Sequence, residues 1–223
     1  MAALRFIFGF FNTMHKAKII FCSTIISSLF LIGCTVSNHP QRRQMKFLQR
    51  GIIKDDSSFV YQLPYEENEA HLLVQGYFSR YTHKNRAALD FKMKKGTKIC
   101  AVRDGVILRI KADGKRGGGN AKYRSYGNYV IILHNDSSRS GYWHLQHNAV
   151  LVKVGDTVKQ GAVIGLSGKT GYTYFPHLHF VVWRSDKSGL WIQIGTRFKT
   201  SKGIRYLRPL RFYRNTIPTN TTK

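Results

Sequence analysis

The chain has 223 residues, enough to bury the core of one globular domain with further segments to spare. It contains 36 Lys and Arg against 11 Asp and Glu, a formal charge of +25, which favours an anionic partner such as nucleic acid, phospholipid or an acidic wall polymer. Every Glu precedes residue 70, and the carboxylates from His71 onward are all Asp. This distribution excludes a Glu-dependent HExxH metallopeptidase and gives little support to the carboxylate pair of a glycosidase.

The N-terminal segment has the pattern of a secretion signal. Lys16 and Lys18 precede the apolar run 19–32, which is shorter than the roughly 20 residues that span a bilayer. The run ends in LIGC, which resembles a bacterial lipobox and predicts cleavage before Cys34 with lipidation of that cysteine. The alternative is an ordinary signal peptide with an unrelated cysteine. Met14 is an alternative start to Met1, since HKAK follows it directly.

The remaining chain divides by composition. We predict a lipoprotein signal peptide at 1–33, a basic tether at 34–58, a folded domain at 59–214 and a loose tail at 215–223. No stretch after residue 35 shows convincing helical periodicity, and short apolar runs follow one another between turn signals such as DG at 104–105. This pattern predicts an all-β fold, a compact antiparallel sandwich or barrel-like core with long loops. The lone Cys100 is expected in the core, without disulfides.

One connection breaks this rhythm of strands and short turns. Residues 111–127, KADGKRGGGNAKYRSYG, form a long, basic, Gly-rich segment between two well-defined strands. Loops of this length are usually functional or disordered.

The histidines carry the chemical signal. His177 and His179 open a strand two residues apart, so their side chains share one face. Three interpretations are open for this pair: half-exposed strand residues, metal ligands or a catalytic base. His83 precedes Asp90 in YTHKNRAALDF, and His144 stands in YWHL. Two His and one Asp gathered from distant strands would supply the three protein ligands typical of catalytic zinc.

These motifs, in the order THKNRAALDF, YWHL, VKVGDTVKQGAVIGLSGKTG and PHLHF, resemble the lysostaphin-type (LytM-like) zinc metallopeptidases over about residues 60 to 183. The resemblance implies one zinc ion bound by His83, Asp90 and His179, with His144 and His177 as the catalytic pair. Six residues separate His83 from Asp90 where many members have three, which we interpret as a tolerated insertion.

The composition of the chain also indicates which residue type accepts the proton in this site. The chain after residue 70 contains no Glu, which independently favours histidine as the proton acceptor. The sequence leaves open whether His144 or His177 is the base. Further residues predicted at the substrate cleft are Tyr142, Lys115, Arg116 and Tyr172.

The function implied by the resemblance is hydrolysis of the peptide cross-links of peptidoglycan by a lipid-anchored envelope enzyme. The family includes silent members that activate other wall hydrolases, and the complete ligand set favours the active enzyme over such a regulator. A third interpretation, a binding module drawn to a polyanion by charge, has less support because no RNA-binding or helix-turn-helix pattern is present, so no nucleic acid partner is expected. Thr35 after Cys34 is not the Asp that favours inner-membrane retention, which points to the outer membrane in a Gram-negative host. The sequence does not specify the bond cleaved or the oligomeric state.

Overall fold

A computed structural model describes residues 38–55 and 59–216, and it confirms the predicted all-β architecture. The predicted signal segment, Cys34 and the last seven residues lie outside this described part. Sixteen strands are present there: β1 (Val60–Tyr61), β2 (Ala70–Gln75), β3 (Ala88–Lys92), β4 (Lys98–Cys100), β5 (Gly105–Lys111), β6 (Gly117–Gly118), β7 (Asn128–Leu133), β8 (Arg139–Val150), β9 (Thr157–Val158), β10 (Val163–Ser167), β11 (Gly171–Tyr172), β12 (His177–Ser185), β13 (Trp191–Ile194), β14 (Arg197–Thr200), β15 (Gly203–Tyr206) and β16 (Arg211–Arg214).

Most strands belong to one large, open antiparallel sheet. Its order is β16-β2-β3-β12-β8-β7-β5-β9, with β13 beside β12 and β10 joining β4 to β8. A second sheet has the order β1-β14-β15, and β6 pairs in parallel with β11. The central position of β3, β12 and β8 matters for function, because these strands carry most of the candidate site residues.

The core lies under one face of the large sheet. On β12, Leu178 and Phe180 are buried in the hydrophobic cluster, while His177 and His179 project from the opposite face. The same alternation occurs along β7, where every second residue is buried. Period-two side-chain placement therefore puts the core on one face of β12 and the histidine pair on the other.

A helix, α1 (Gln41–Arg50), contradicts our expectation that no helix follows residue 35. It ends at Gly51, whose left-handed φ of 72° closes the C-terminus. Met45 is buried against Gly195, where a Cβ atom would lie only 2.1 Å from Met45 Cε. The side chain of Gln49 donates to the Leu207 carbonyl over 2.6 Å. The ten residues of α1 have too short an apolar stripe to predict a helix from the sequence, and these tertiary contacts stabilise it.

Among the described residues, no helix is both long and apolar enough to span a membrane.

The Gly-rich segment 111–127 is ordered between the strands it connects. It contains β6 and a 3₁₀ helix, Ala121–Tyr126, and it packs close to the segment before β11. A Cβ atom on Gly117 would lie 1.8 Å from the carbonyl oxygen of Lys169, so only glycine permits this approach. The side chain of Asn128 both accepts from and donates to the backbone of Gly114, over 2.8 and 2.9 Å. Close backbone packing thus explains the glycines.

Candidate active site

Three side chains that could ligate a metal meet above the sheet. Asp90 on β3 and His179 on β12 are direct partners in the antiparallel register, and His83 lies in the turn before β3. His179 Nδ1 lies 2.8 Å from Asp90 Oδ1, and His83 Nε2 lies 3.2 Å from both Asp90 Oδ2 and His179 Nδ1. One ligand atom from each residue falls within 4.8 Å of the others.

These spacings fit a zinc ion. Zn–N and Zn–O bonds of about 2.0–2.2 Å in a tetrahedron place neighbouring ligand atoms roughly 3.3 Å apart. The observed distances of 2.8 to 3.2 Å lie slightly inside that value. His83 Nδ1 is 3.2 Å from the Gly76 carbonyl, an acceptor only, so Nδ1 carries the proton and Nε2 presents its lone pair to the site.

The electrostatics of the cluster keep Asp90 ionised. Burial alone would raise the pKa of Asp90, but the imidazoles of His83 and His179 outweigh it and hold that pKa well below its usual value. Burial lowers the pKa of His179, against the opposing effect of Asp90, and so favours the neutral imidazole that binds metals. Gln75 on β2 also supports the carboxylate, with Nε2 donating to Asp90 Oδ2 over 3.0 Å and to Thr82 Oγ1 over 2.7 Å.

His177 lies beside the three ligand residues with its lone pair turned towards them. Its Nδ1 is 2.9 Å from the carbonyl of Phe175 and 3.1 Å from Thr173 Oγ1. Because the carbonyl only accepts, it selects the tautomer with the proton on Nδ1, in which the lone pair is on Nε2, 3.6 Å from Asp90 Oδ1. His177 is thus held close to the cluster with Nε2 available to accept a proton.

His144 reaches the same site through an irregularity of β8. Strand alternation would place it on the core face together with Tyr142. Leu145 instead pairs with Asn128 and Trp143 with Tyr129, which leaves His144 as the extra residue of a β-bulge. Its φ of 66° turns the imidazole to the cleft, a conformation that costs of the order of 1–3 kcal/mol for a non-glycine residue. The imidazole ring lies 4.7 Å from that of His177.

The protonation of His144 follows from its contacts. Its Nδ1 donates to the carbonyl of Thr170 over 2.7 Å, so Nε2 is the free nitrogen. Burial, together with the neighbouring imidazoles of His177 and His179, lowers the pKa of His144 to about 3. His144 is therefore a neutral hydrogen-bond acceptor near neutral pH.

A cleft of about 850 Å³ opens over this site, lined by Asp90, His144, His177 and His179, while His83 is fully buried. Two cations, Arg86 and Arg124, line it together with six aromatic side chains: Tyr81, Trp143, Tyr172, Tyr174, Phe175 and Trp183. The guanidinium of Arg124 lies 5.5 Å from the ring centre of Tyr172. An open groove lined by aromatic side chains and two arginines suits an extended peptide that carries carboxylates.

The structure gathers His83, Asp90, His144, His177 and His179 in one site, and Tyr172 lines the cleft.

Three residues predicted at the cleft do not line it. Tyr142 is fully buried on the core side of β8, where its hydroxyl accepts from the Val102 amide over 2.9 Å. Lys115 and Arg116 lie on the Gly-rich segment away from the cleft, with Arg116 over the ring of Tyr126. Tyr142 and His144 would share one face of a regular strand, and the β-bulge at His144 separates them, so Tyr142 stays on the core side.

The sequence analysis also missed Gln75, Trp143, Thr170 and Thr173. A polar residue ending the apolar strand HLLVQ was a usable signal for Gln75, whereas the roles of Thr170 and Thr173 depend on tertiary hydrogen bonds.

Comparison with known proteins gives a consistent result. The family described as Peptidase family M23 matches residues 81–189. An uncharacterized metalloprotease of Buchnera aphidicola is 44% identical over 113 residues, covering 49% of this chain and 27% of that protein. The peptidoglycan DD-endopeptidase ShyA of Vibrio cholerae is 40% identical over 91 residues, 41% of this chain and 18% of that protein. The chain thus spans less than a third of the length of these relatives. The solved catalytic domain of lysostaphin from Staphylococcus simulans shares 30% identity, with a TM-score of 0.39, over 56% of this chain and 88% of that one.

Proposed function

Since residues 81–189 match peptidase family M23, we propose that the chain is a zinc-dependent metalloendopeptidase that hydrolyses peptide cross-links of peptidoglycan. The observation that carries the proposal is the cluster of His83, Asp90 and His179, whose ligand atoms meet within 4.8 Å beside two further imidazoles. The relative named as a peptidoglycan DD-endopeptidase supports the substrate class.

His83, Asp90 and His179 would hold the zinc ion, with Gln75 orienting the carboxylate between them. When bound, zinc supplies Lewis acidity that polarises the scissile carbonyl and acidifies water. The lowered pKa of Asp90 and the lowered pKa of His179 favour the forms of these two donors that bind a cation.

His144 and His177 perform the proton transfers in this proposal. In both residues the Nδ1–H group donates a hydrogen bond to a backbone carbonyl. The Nε2 atom of either residue can therefore take the proton of the attacking water. The same nitrogen then returns the proton to the departing amine. General acid–base catalysis of this kind typically contributes about 10²–10⁴ in rate.

The substrate peptide would lie along the cleft against its aromatic walls, with its carboxylates near Arg86 and Arg124. Acylation of Cys34 would tether the enzyme to the envelope membrane, the outer membrane in a Gram-negative host. The residues between Cys34 and α1 would then connect the lipid to the peptidase domain, since α1, within the predicted tether 34–58, packs against Gly195 and Leu207.

The test is mass spectrometry of peptidoglycan fragments after incubation with the purified protein and zinc. The proposal expects new amino and carboxyl termini at one type of cross-link, abolished by a chelator and restored by zinc. The Asp90→Ala variant serves as the inactive control, and it should bind no stoichiometric zinc. If the wild type released nothing but activated a separate wall hydrolase, the chain would be a silent regulator instead.

A further inference from the structure

A second groove, of about 690 Å³, lies between α1 and the strands β14 to β16, and it shares no lining residue with the catalytic cleft. We call it the basic groove. Seven cationic side chains line it: Arg50, Lys54, Arg197, Lys202, Arg205, Arg208 and Arg211. The single carboxylate in the lining is that of Asp55, which accepts a hydrogen bond from the Tyr206 hydroxyl over 2.6 Å.

Most cations of the basic groove have no carboxylate partner in the described part of the chain. Within residues 38–55 and 59–216, no carboxylate forms an ion pair with six of the seven cations: Arg50, Lys54, Lys202, Arg205, Arg208 and Arg211. Two of the guanidinium groups are positioned by the backbone instead, Arg208 by the Gln49 carbonyl at 2.6 Å and Arg205 by the Lys202 carbonyl. Like charges held together without counter-charges repel one another, and an anionic partner would remove that cost.

Large apolar side chains stand exposed in the same groove. Phe212 is 72% exposed, Ile204 56% and Ile53 38%, and all three line it. Leu210, two residues before Phe212, is 78% exposed. A soluble polyanion would contact the cations and gain little from these side chains. A bilayer surface satisfies both, since phosphates meet the cations while apolar side chains enter the boundary of the acyl chains.

We propose that the basic groove is a membrane-docking face that binds the surface of a bilayer rich in anionic phospholipid. The Arg and Lys side chains contact headgroup phosphates, and Phe212 and Ile204 insert beside them. The groove includes the end of α1, whose first residue follows the predicted lipid attachment site, Cys34, by 41 − 34 = 7 positions. Seven extended residues reach at most about 25 Å, so lipidation would keep this face near the bilayer. The proposal is independent of peptidase activity.

The experiment places an environment-sensitive fluorescent amino acid at Ser201, which lines the basic groove, in the full chain. A second preparation has it at Lys187, an exposed position in the turn after β12 that lines neither groove nor cleft. Each protein is mixed with vesicles of phosphatidylcholine alone or of phosphatidylcholine with phosphatidylglycerol. Attachment through the N-terminus alone would hold both probes near vesicles without moving the Ser201 probe into an apolar environment.

The expected result is a blue shift of the Ser201 probe on anionic vesicles only, with no change at Lys187. The shift should be lost near 1 M salt, where the screening length is about 3 Å. The triple variant Lys54→Gln, Lys202→Gln, Arg211→Gln should weaken docking by about 100-fold, at roughly fivefold for each basic residue near an anionic leaflet. Phe212→Gln should reduce the shift without changing its dependence on salt.

A matched variant, Lys95→Gln, Lys153→Gln, Lys115→Gln, removes three exposed charges outside the basic groove and should dock as the wild type does. Equal shifts on neutral and anionic vesicles, or docking unaffected by the triple variant, would overturn the proposal. So would a shift produced by soluble polyphosphate and not by anionic vesicles, which would identify the groove as a polyanion site. The triple variant should hydrolyse soluble peptidoglycan fragments at the wild-type rate, because none of its positions lines the catalytic cleft.

Discussion

Replacing Gln75 with Met tests whether a hydrogen bond behind the ligands sets metal affinity. Met has a similar length and keeps the packing of this buried position, but it removes the amide that donates to Asp90 Oδ2 and Thr82 Oγ1. A hydrogen bond to a charged group contributes about 1.5–3 kcal/mol, and removing the partner of a metal-ligating carboxylate typically costs 10–100-fold in metal affinity. We therefore expect a 10–100-fold rise in the zinc dissociation constant, about 1.4–2.7 kcal/mol.

The assay is competition for zinc with a chromophoric chelator, combined with thermal unfolding of the metal-free protein. Asp90 retains its contacts with His83 and His179 in the variant, so the free energy of unfolding should fall by only about 1–2 kcal/mol. The matched control is Gln193→Met, because Gln193 lines the same cleft and makes no hydrogen bond to Asp90. Its zinc affinity should equal that of the wild type.

An unchanged zinc affinity in Gln75→Met would refute the reasoning, since Asp90 would then be positioned by the two imidazoles alone. Equal losses in Gln75→Met and Gln193→Met would also refute it, because the effect would then reflect the polarity of the cleft.

Further predictions concern catalysis, attachment and pH. His144→Ala and His177→Ala should each retain zinc but lose about 10²–10⁴ in turnover on soluble fragments, and zinc loss in either variant would make that histidine a ligand. Metabolic labelling with a fatty-acid analogue should tag the wild type and not Cys34→Ser; a labelled Ser variant would exclude acylation at this position. Burial lowers the pKa of His134, so the native state takes up a proton less readily than the unfolded chain. This stabilisation is complete above the unfolded pKa of about 6.5 and is lost as the pH falls below it. Denaturant unfolding of the metal-free protein should therefore show a steeper loss of stability from pH 7 to 5 in the wild type than in His134→Gln, and parallel slopes would contradict this account.

The sequence by itself determined the fold class and singled out the histidines and the aspartate that meet in the candidate site. Alternation with period two is a local property, so it predicted the strands and placed His177 and His179 on one face before any tertiary contact was known. The motifs of the lysostaphin-type family stand in short contiguous stretches, and the resemblance they predicted is confirmed. Of the proposed ligands, Asp90 and His179 meet through direct strand pairing, and His83 joins them from the turn before β3.

Only the tertiary structure decided features that depend on residues distant in the chain or on broken regularity. The bulge that turns His144 away from the core is a departure from the alternation on which sequence interpretation rests. Gln75 reaches Asp90 because β2 pairs with β3, and α1 forms because Met45 packs against Gly195. The basic groove combines α1 with β14, β15 and β16, segments separated by about 150 residues. The total charge was known from composition, but its concentration on one face results from folding, because folding alone decides which distant side chains become neighbours.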